Sequence, residues 1–223
     1  MNMARIDYQE QLDALQSNVL EMSELVIERY ETAMEALETK DESLARDVID
    51  GDDEINELYL DLEGDCIDLF ALQQPVAGDL RFVASSFKIL TDLERIGDLA
   101  GNLAGYALAA ERERYPEVDV MYIGSEAGRM VTGAMDAYRD DDPETARAIA
   151  ARDDEINRLC GAASDAVLED LLRTAYGDEE TEMMDDVSRL LLTIRDFERV
   201  ADHAVNICAR TVYVIDHDRE LIY

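Results

Sequence analysis

The segment DLERIGD at residues 92–98 returns 104 positions later as DFERVAD at residues 196–202. A second segment, DDEIN at 52–56, returns 101 positions later at 153–157, in the same order along the chain. One such match could arise by chance, but two matches in the same order indicate an internal duplication. The chain is therefore expected to consist of two related units.

Around these segments the apolar residues recur with the period of an α-helix, and no stretch alternates as a strand would. Asp41 and Asp142 are typical helix N-caps, and Pro143 suits the first helical position. Because most connections are short, successive helices should be antiparallel neighbours. The sequence predicts an all-α protein of two tandem, duplicated three-helix bundles, at residues 1–114 and 117–223. The six expected helices are 5–39, 42–73, 76–113, 117–141, 143–176 and 179–217.

The composition is strongly acidic: 53 acidic and 20 basic residues give the 223-residue chain a net charge of −33. Only Lys40 and Lys88 are lysines, a bias typical of proteins that stay hydrated in molar salt. So much negative charge repels nucleic acid, and no apolar run is long enough to span a membrane. The N-terminus also lacks the apolar stretch of a signal peptide. We therefore expect a halophilic, cytoplasmic protein that binds no nucleic acid and does not insert into a membrane.

Few side chains are suited to catalysis. His203 and His217 are the two histidines, and neither follows a glutamate at the Glu-x-x-His spacing of di-metal carboxylate bundles. Cys66 and Cys160 fall on apolar stripes, so they are expected in the core. No nucleophile is paired with a base, and we predict that the protein is not an enzyme. The methionines expected to fill the core are Met22, Met130, Met183 and Met184.

In the first unit, carboxylates interrupt the apolar stripes at Asp52 and Glu94. Residues equidistant from the turn of an antiparallel hairpin lie at one height, because both helices rise by about 1.5 Å per residue. For a turn at Pro75, Asp52 lies opposite Asp98, and Asn56 lies opposite Glu94. Partners four residues apart share a helix face. The first hairpin thus gathers three carboxylates and one carboxamide.

The second unit repeats this register about a turn at residues 177–178. There Asp153 lies opposite Asp202, and Asn157 lies opposite Glu198. The second hairpin is therefore predicted to gather the same set of three carboxylates and one carboxamide.

Such clusters favour a bound cation. Neighbouring carboxylates repel one another, and burying an unpaired one is costly, so a di- or trivalent ion relieves both problems. All-oxygen donors suit hard ions such as iron, manganese or magnesium. Two alternatives stay open. The acids could form an ion-pair network with Arg46 or Arg95 and with Arg147 or Arg199, or they could lie on an exposed face without a ligand.

The repeated segments resemble the paired E(D)-x-x-x-D motifs of PhoU proteins, the phosphate-uptake regulators. Residues 73–81 resemble that family's stretch between its second and third helices, residues 48–56 its second-helix motif, and residues 22–36 its first helix. The resemblance implies tandem three-helix bundles with multinuclear metal clusters on the motif residues. Iron is the first expectation, and zinc, nickel, manganese and magnesium are alternatives. The second motif departs slightly, with Val200-Ala201 in place of Ile96-Gly97.

The resemblance also implies a function in phosphate homeostasis. Such a protein restrains high-affinity phosphate import by contacting the ATPase subunit of the phosphate ABC transporter, and a phosphate-responsive sensor kinase is a further implied partner. Whether the chain forms a homodimer is left open. Two other interpretations remain: a metal-free helical adaptor, and a carboxylate-bridged metal-binding or storage protein.

Overall fold

The structure, a computed structural model, describes residues 3–72, 77–109, 119–174 and 180–222. Within these residues the chain forms eight α-helices and no strand. In chain order they are α1 (Met3–Thr39), α2 (Glu42–Asp50), α3 (Asp52–Leu72), α4 (Ala77–Ala109), α5 (Val120–Arg139), α6 (Pro143–Ala150), α7 (Asp153–Thr174) and α8 (Glu180–Asp216). The all-α prediction is confirmed.

The two predicted N-caps are also confirmed. Asp41 accepts hydrogen bonds from the backbone N–H groups of Ser43 and Leu44, at 2.8 and 3.2 Å. Asp142 caps α6 in the same way, and Pro143 follows it at the start of that helix. These bonds satisfy N–H groups that the first turn of a helix otherwise leaves unpaired.

The prediction of six continuous helices is wrong at two places. The helix expected at 42–73 is interrupted at Gly51, between α2 and α3, and the helix expected at 143–176 is interrupted at residues 151–152, between α6 and α7. The apolar stripe continues across each interruption, so the sequence period alone gives no sign of it.

An arginine of α1 accounts for the first break. Arg29 Nη1 donates a hydrogen bond to the carbonyl oxygen of Val48 at 3.1 Å, and Nη2 lies 3.2 Å from the Glu54 carboxylate. A Cβ atom at position 51 would lie only 1.8 Å from Arg29 Nη1. Gly51 therefore leaves the space in which the guanidinium links α1 to both α2 and α3.

A similar ion pair forms at the second break, but here the arginine lies in the break and the acid lies on the first helix of the unit. Arg152, within the break, pairs with Glu126 of α5, whose side chain is largely buried. An ion pair thus joins each break to the first helix of its own unit.

Two groups of helices form the predicted tandem bundles. The first contains α1 to α4 and the second contains α5 to α8. The bundles meet mainly where α4 packs antiparallel against α8: Asp92 contacts His203, and Tyr106 contacts Asp196. Because residue numbers rise along α4 as their partners' numbers fall along α8, the middles of the two helices lie together.

A second contact joins α1 to α5. The Tyr30 hydroxyl donates a hydrogen bond to the carbonyl oxygen of Gly124 at 2.8 Å. A Cβ atom at Gly124 would lie 2.5 Å from Met34, and one at Gly128 would lie 2.9 Å from the Tyr30 ring. The two glycines allow this close approach, and a continuous hydrophobic core runs through both bundles.

The three cysteines are buried, as are Met22 and Met130. Met184 is 50% exposed, so the prediction that it fills the core is wrong. The side chain of Met183 lies outside the described part of the structure. No helix among the described residues has the length and apolarity needed to cross a membrane.

Three predicted connections fall outside the described residues: the turn at Pro75, the join between the two units at residues 115–116, and the turn at residues 177–178. The limits of the two units, 1–114 and 117–223, therefore stay predictions.

Replacing Gly51 with alanine should lower the free energy of unfolding by about 1–2 kcal/mol, because the new methyl group displaces Arg29 from the Val48 carbonyl. The matched control is Gly64→Ala, at an exposed position of α3 where an added Cβ meets nothing within 4 Å. That change should raise the free energy of unfolding by about 0.5–1 kcal/mol. Denaturant titration measures both, and a shift of the same sign in the two variants would contradict the role given to Arg29.

Candidate metal sites

The first acidic cluster, site 1, consists of Asp52, Asn56, Glu94 and Asp98 and lies where α3 faces α4. Asn56 Nδ2 donates a hydrogen bond to Asp52 Oδ2 at 3.0 Å, one helical turn apart. Asp52 and Asp98 both line an open cleft of about 340 Å³. The Glu94 side chain is 17% exposed and that of Asp98 is 40% exposed. Site 1 is therefore half-buried and open to solvent on one side.

Burial and neighbouring acids both act on the pKa of Glu94 in site 1. Burial raises the pKa of Glu94 above its ordinary value, and the nearby charges of Asp98 and Asp52 raise it further. The positive charge of Arg95 and the imidazole of His203 act in the opposite direction. The structure thus places Asp52, Glu94 and Asp98 close enough for their charges to interact.

The second cluster, site 2, consists of Asp153, Asn157, Glu198 and Asp202 and lies where α7 faces α8. Asn157 Nδ2 donates to Asp153 Oδ2 at 2.8 Å, as in site 1. Burial raises the pKa of Asp153. Burial also raises the pKa of Asp202, and the charges of Asp153 and Glu198 add to that rise. The charges of Asp153, Glu198 and Asp202 are therefore close enough to influence one another.

A buried thiol lies beside site 2. Burial raises the pKa of Cys160 to about 12, and the charges of Glu198, Asp153 and Asp202 contribute. The Cys160 Sγ lies 3.7 Å from the carbonyl oxygen of Ile194. Without a bound cation, the thiol stays protonated at neutral pH and adds no negative charge to the cluster.

Arginines distinguish the two sites. Arg95 lies 3.0 Å from the Asp98 carboxylate and 3.4 Å from that of Glu94. Its counterpart in the repeat, Arg199, pairs instead with Asp196 at 3.3 Å and lines the cleft of site 1. In the part of the chain that the structure describes, no arginine pairs with an acid of site 2. Site 1 therefore carries more positive charge than site 2.

Two other arginines that the sequence offered as partners lie elsewhere. Arg46 pairs with Glu42 on the exposed face of α2, at 2.9 Å. Arg147 pairs with Glu144 and Asp216, at 2.9 and 2.8 Å. Within the described residues, arginine therefore pairs with acids of site 1 and not with acids of site 2, so the ion-pair alternative is met only at site 1 in this part of the chain.

The donor chemistry of both sites fits a hard metal ion, because carboxylate and amide oxygens dominate. At site 2, Asp153 Oδ1 is buried and has no hydrogen-bond partner, and a cation would satisfy such an acceptor. Across the described ranges, no three Asp, Glu, His or Cys side chains converge closely enough to hold an ion as they stand. Binding would therefore require the carboxylates to draw together.

Sequence reasoning missed a set of polar contacts between the bundles. His203 Nδ1 lies 2.9 Å from Asp92 Oδ1, and Asn206 donates to the same oxygen at 3.0 Å. At the equivalent place in the repeat, the Tyr106 hydroxyl donates to the buried Asp196 at 3.0 Å. The repeat offset of 104 residues relates Asp92 to Asp196, so this offset could have identified both as acids of one interface.

The sequence also matches known proteins along most of its length. A family model described as the PhoU domain matches residues 19–107 and again residues 120–211. The chain is 30% identical over 216 residues to the phosphate-specific transport system accessory protein PhoU homolog of Clostridium acetobutylicum, covering 96% of each chain. It is 32% identical over 214 residues to PhoU homolog 1 of Methanothermobacter thermautotrophicus, covering 95% of each.

Solved structures share the fold. The crystal structure of PhoU from Pseudomonas aeruginosa has a TM-score of 0.89 at 29% identity, with 95% of this chain and 100% of that chain covered. The phosphate transport system regulatory protein PhoU from Streptococcus pneumoniae has a TM-score of 0.85 at 29% identity, with 95% and 98% covered. With a duplicated domain match, full-length relatives and a shared fold, the chain belongs to the PhoU family.

Proposed function

We propose that this protein restrains high-affinity phosphate import by binding the ATPase subunit of the phosphate ABC transporter, on the cytoplasmic side of the membrane. Membership of the family gives it an accessory, regulatory role in phosphate transport. The observation that carries the proposal is the match to phosphate-transport accessory proteins over 95–96% of the chain. A phosphate-responsive sensor kinase would be a second partner of the same kind.

Metal ions at sites 1 and 2 are part of the proposal. A bound di- or trivalent cation supplies the positive charge that neutralises clustered carboxylates. Iron is the first candidate, with zinc, nickel, manganese and magnesium as alternatives. The oxygen donors would be Asp52, Asn56, Glu94 and Asp98 at site 1, and Asp153, Asn157, Glu198 and Asp202 at site 2.

The position of the sites explains how a cation could influence a protein contact. Asp92 meets Asn206 where α4 crosses α8 antiparallel, so Glu94 lies level with residue 204. At about 1.5 Å per residue, Glu198 is then only about 9 Å further along. Both sites therefore lie near the middle of the molecule, where a cation would hold α3 to α4 and α7 to α8 beside the contact between the bundles.

Replacing Asp52 and Asp153 together with asparagine should lower the metal affinity at least about tenfold, because each site loses a charged donor. The matched control replaces their exposed neighbours Asp53 and Asp154 with asparagine, which removes the same charge. Plasma mass spectrometry of untagged protein purified from its own cytoplasm measures metal per chain. Equal metal content in the two double variants would contradict the assigned sites, and metal-free wild-type protein would favour the adaptor alternative.

Replacing Asp202 with asparagine should raise the melting temperature of metal-free protein at pH 7 by about 1–3 °C. The reason is the sign of its pKa shift: burial and neighbouring acids raise the pKa, so the charged form destabilises the folded state above that pKa. Replacing Asp165, an exposed acid of α7, serves as the control. The variant should also lose part of the stabilisation that added Mn²⁺ gives the wild type. A lower melting temperature in metal-free Asp202→Asn would instead indicate an ion pair at site 2.

In cells that lack this protein, phosphate uptake in phosphate-rich medium should rise, and the wild-type gene should restore the restraint. The Asp52→Asn/Asp153→Asn variant should fail to restore it, while the Asp53→Asn/Asp154→Asn control should succeed. Radiolabelled phosphate uptake at equal protein abundance measures this. Full restoration by a variant that has lost its metal would show that restraint needs no metal.

A further inference from the structure

Four large apolar side chains are exposed at equivalent positions of the two units. Ile67 of α3 and Leu168 of α7 are 55% and 43% exposed and lie 101 positions apart. Leu80 of α4 and Met184 of α8 are 45% and 50% exposed and lie 104 positions apart. These spacings are the offsets of the duplicated motifs. Among the described residues, no other exposed large apolar side chain has an exposed large apolar counterpart at these offsets.

Each pair lies near the end of one hairpin. We call Ile67 and Leu80 tip 1, because they lie within two turns of the end of α3 and the start of α4. Leu168 and Met184 form tip 2, in the same position on α7 and α8. In a protein with a net charge of −33, apolar side chains repeated at one place in both units mark an interaction surface.

The surroundings of the tips are also repeated. Asp68 and Glu169, 101 positions apart, are exposed and adjoin the apolar side chain of α3 and α7 in each tip. Phe70 and Leu172, which are 38% and 74% exposed, widen the apolar surface at the two tips. Each tip therefore carries exposed apolar side chains beside an acidic edge, and at tip 2 the edge residue Glu169 also pairs with Arg173 at 3.1 Å.

The antiparallel contact of α4 with α8 sets the separation of the tips. Arg81, next to Leu80, lies 3.0 Å from His217 beyond the end of α8. Met184 lies near the opposite end of α8, and the 33 residues from Met184 to His217 correspond to about 50 Å. Because repeated helices that pack antiparallel are related by an approximate two-fold axis, the same axis relates the tips.

We infer that the two tips are the two halves of one docking surface. Its partner is a two-fold symmetric protein, and each subunit of that protein presents an apolar patch edged with basic side chains. A homodimer matches two equivalent patches about an axis, and two-fold dimers are the commonest oligomers. The acidic edges favour a basic partner surface. They disfavour a second copy of this chain, which would bring acid against acid.

The inference rests on the proposed function, since the ATPase subunit of the phosphate transporter is the probe. Full-length chain and purified ATPase subunit are mixed at molar salt, with affinity measured by calorimetry and stoichiometry by light scattering. Variants carry glutamine at tip 1 (Ile67→Gln/Leu80→Gln), at tip 2 (Leu168→Gln/Met184→Gln) or at both. The matched control, Leu60→Gln/Leu192→Gln, changes exposed side chains of similar size that lack a repeated apolar counterpart.

We expect one chain per two ATPase subunits. Loss of either tip should weaken binding about 100-fold, since simultaneous engagement of two sites is lost. Loss of both should abolish binding, and the control should stay close to the wild type. Circular dichroism confirms that each variant keeps its helices.

Four results would overturn the inference. If the wild-type chain does not bind the ATPase subunit, both the proposed function and this docking surface are contradicted. If the tip variants bind as the wild type does, or if only one tip affects binding, the docking surface is contradicted and the proposed function is not. A change in self-association of the tip variants, without a change in ATPase binding, would assign the tips to a second copy of this chain.

Discussion

The antiparallel contact of α4 with α8 is the constraint on which the rest of the molecule depends. Its polar centre pairs Asp92 with His203 and Asp196 with Tyr106, at 2.9 and 3.0 Å. Buried polar groups of this kind stabilise an interface only when their partners are in place, so they fix one register of the two helices. That register places the two acidic sites near the middle of the protein. It also places the turn ends of the two hairpins, α3–α4 and α7–α8, at opposite ends of the molecule.

The same register makes the two acidic sites unequal. In the first bundle Arg95 turns to the acids of site 1, whereas Arg199 is held by Asp196 of the interface and borders the cleft of site 1 as well. Site 2 is left with raised carboxylate pKa values and a buried, unpartnered oxygen on Asp153. Half-buried like charges cost folding free energy, and proteins retain such costs chiefly where a ligand or function depends on them.

Much of this architecture could be predicted from the sequence, for definable reasons. Helical period and the caps at Asp41 and Asp142 are local properties, and the acid clusters follow from the equal rise of antiparallel helices. The break at Gly51 could not be predicted, because its cause is Arg29, a side chain from another helix. The pairing of Arg199 with Asp196 is local, three residues apart on one helix, but the position of Arg199 at the cleft of site 1 was beyond prediction, since it depends on the contact between the bundles.

The internal duplication allows surface and core to be compared within one chain. Buried positions keep their character in both units, as with Cys66 and Val167 or Ile96 and Val200, whereas most exposed positions have diverged. Lys88 corresponds to Leu192, and Leu60 corresponds to Gly161. In contrast, the exposed side chains of the two tips are apolar in both units, as buried residues are. Solvent exposure gives no physical reason for this, whereas burial against a symmetric partner does.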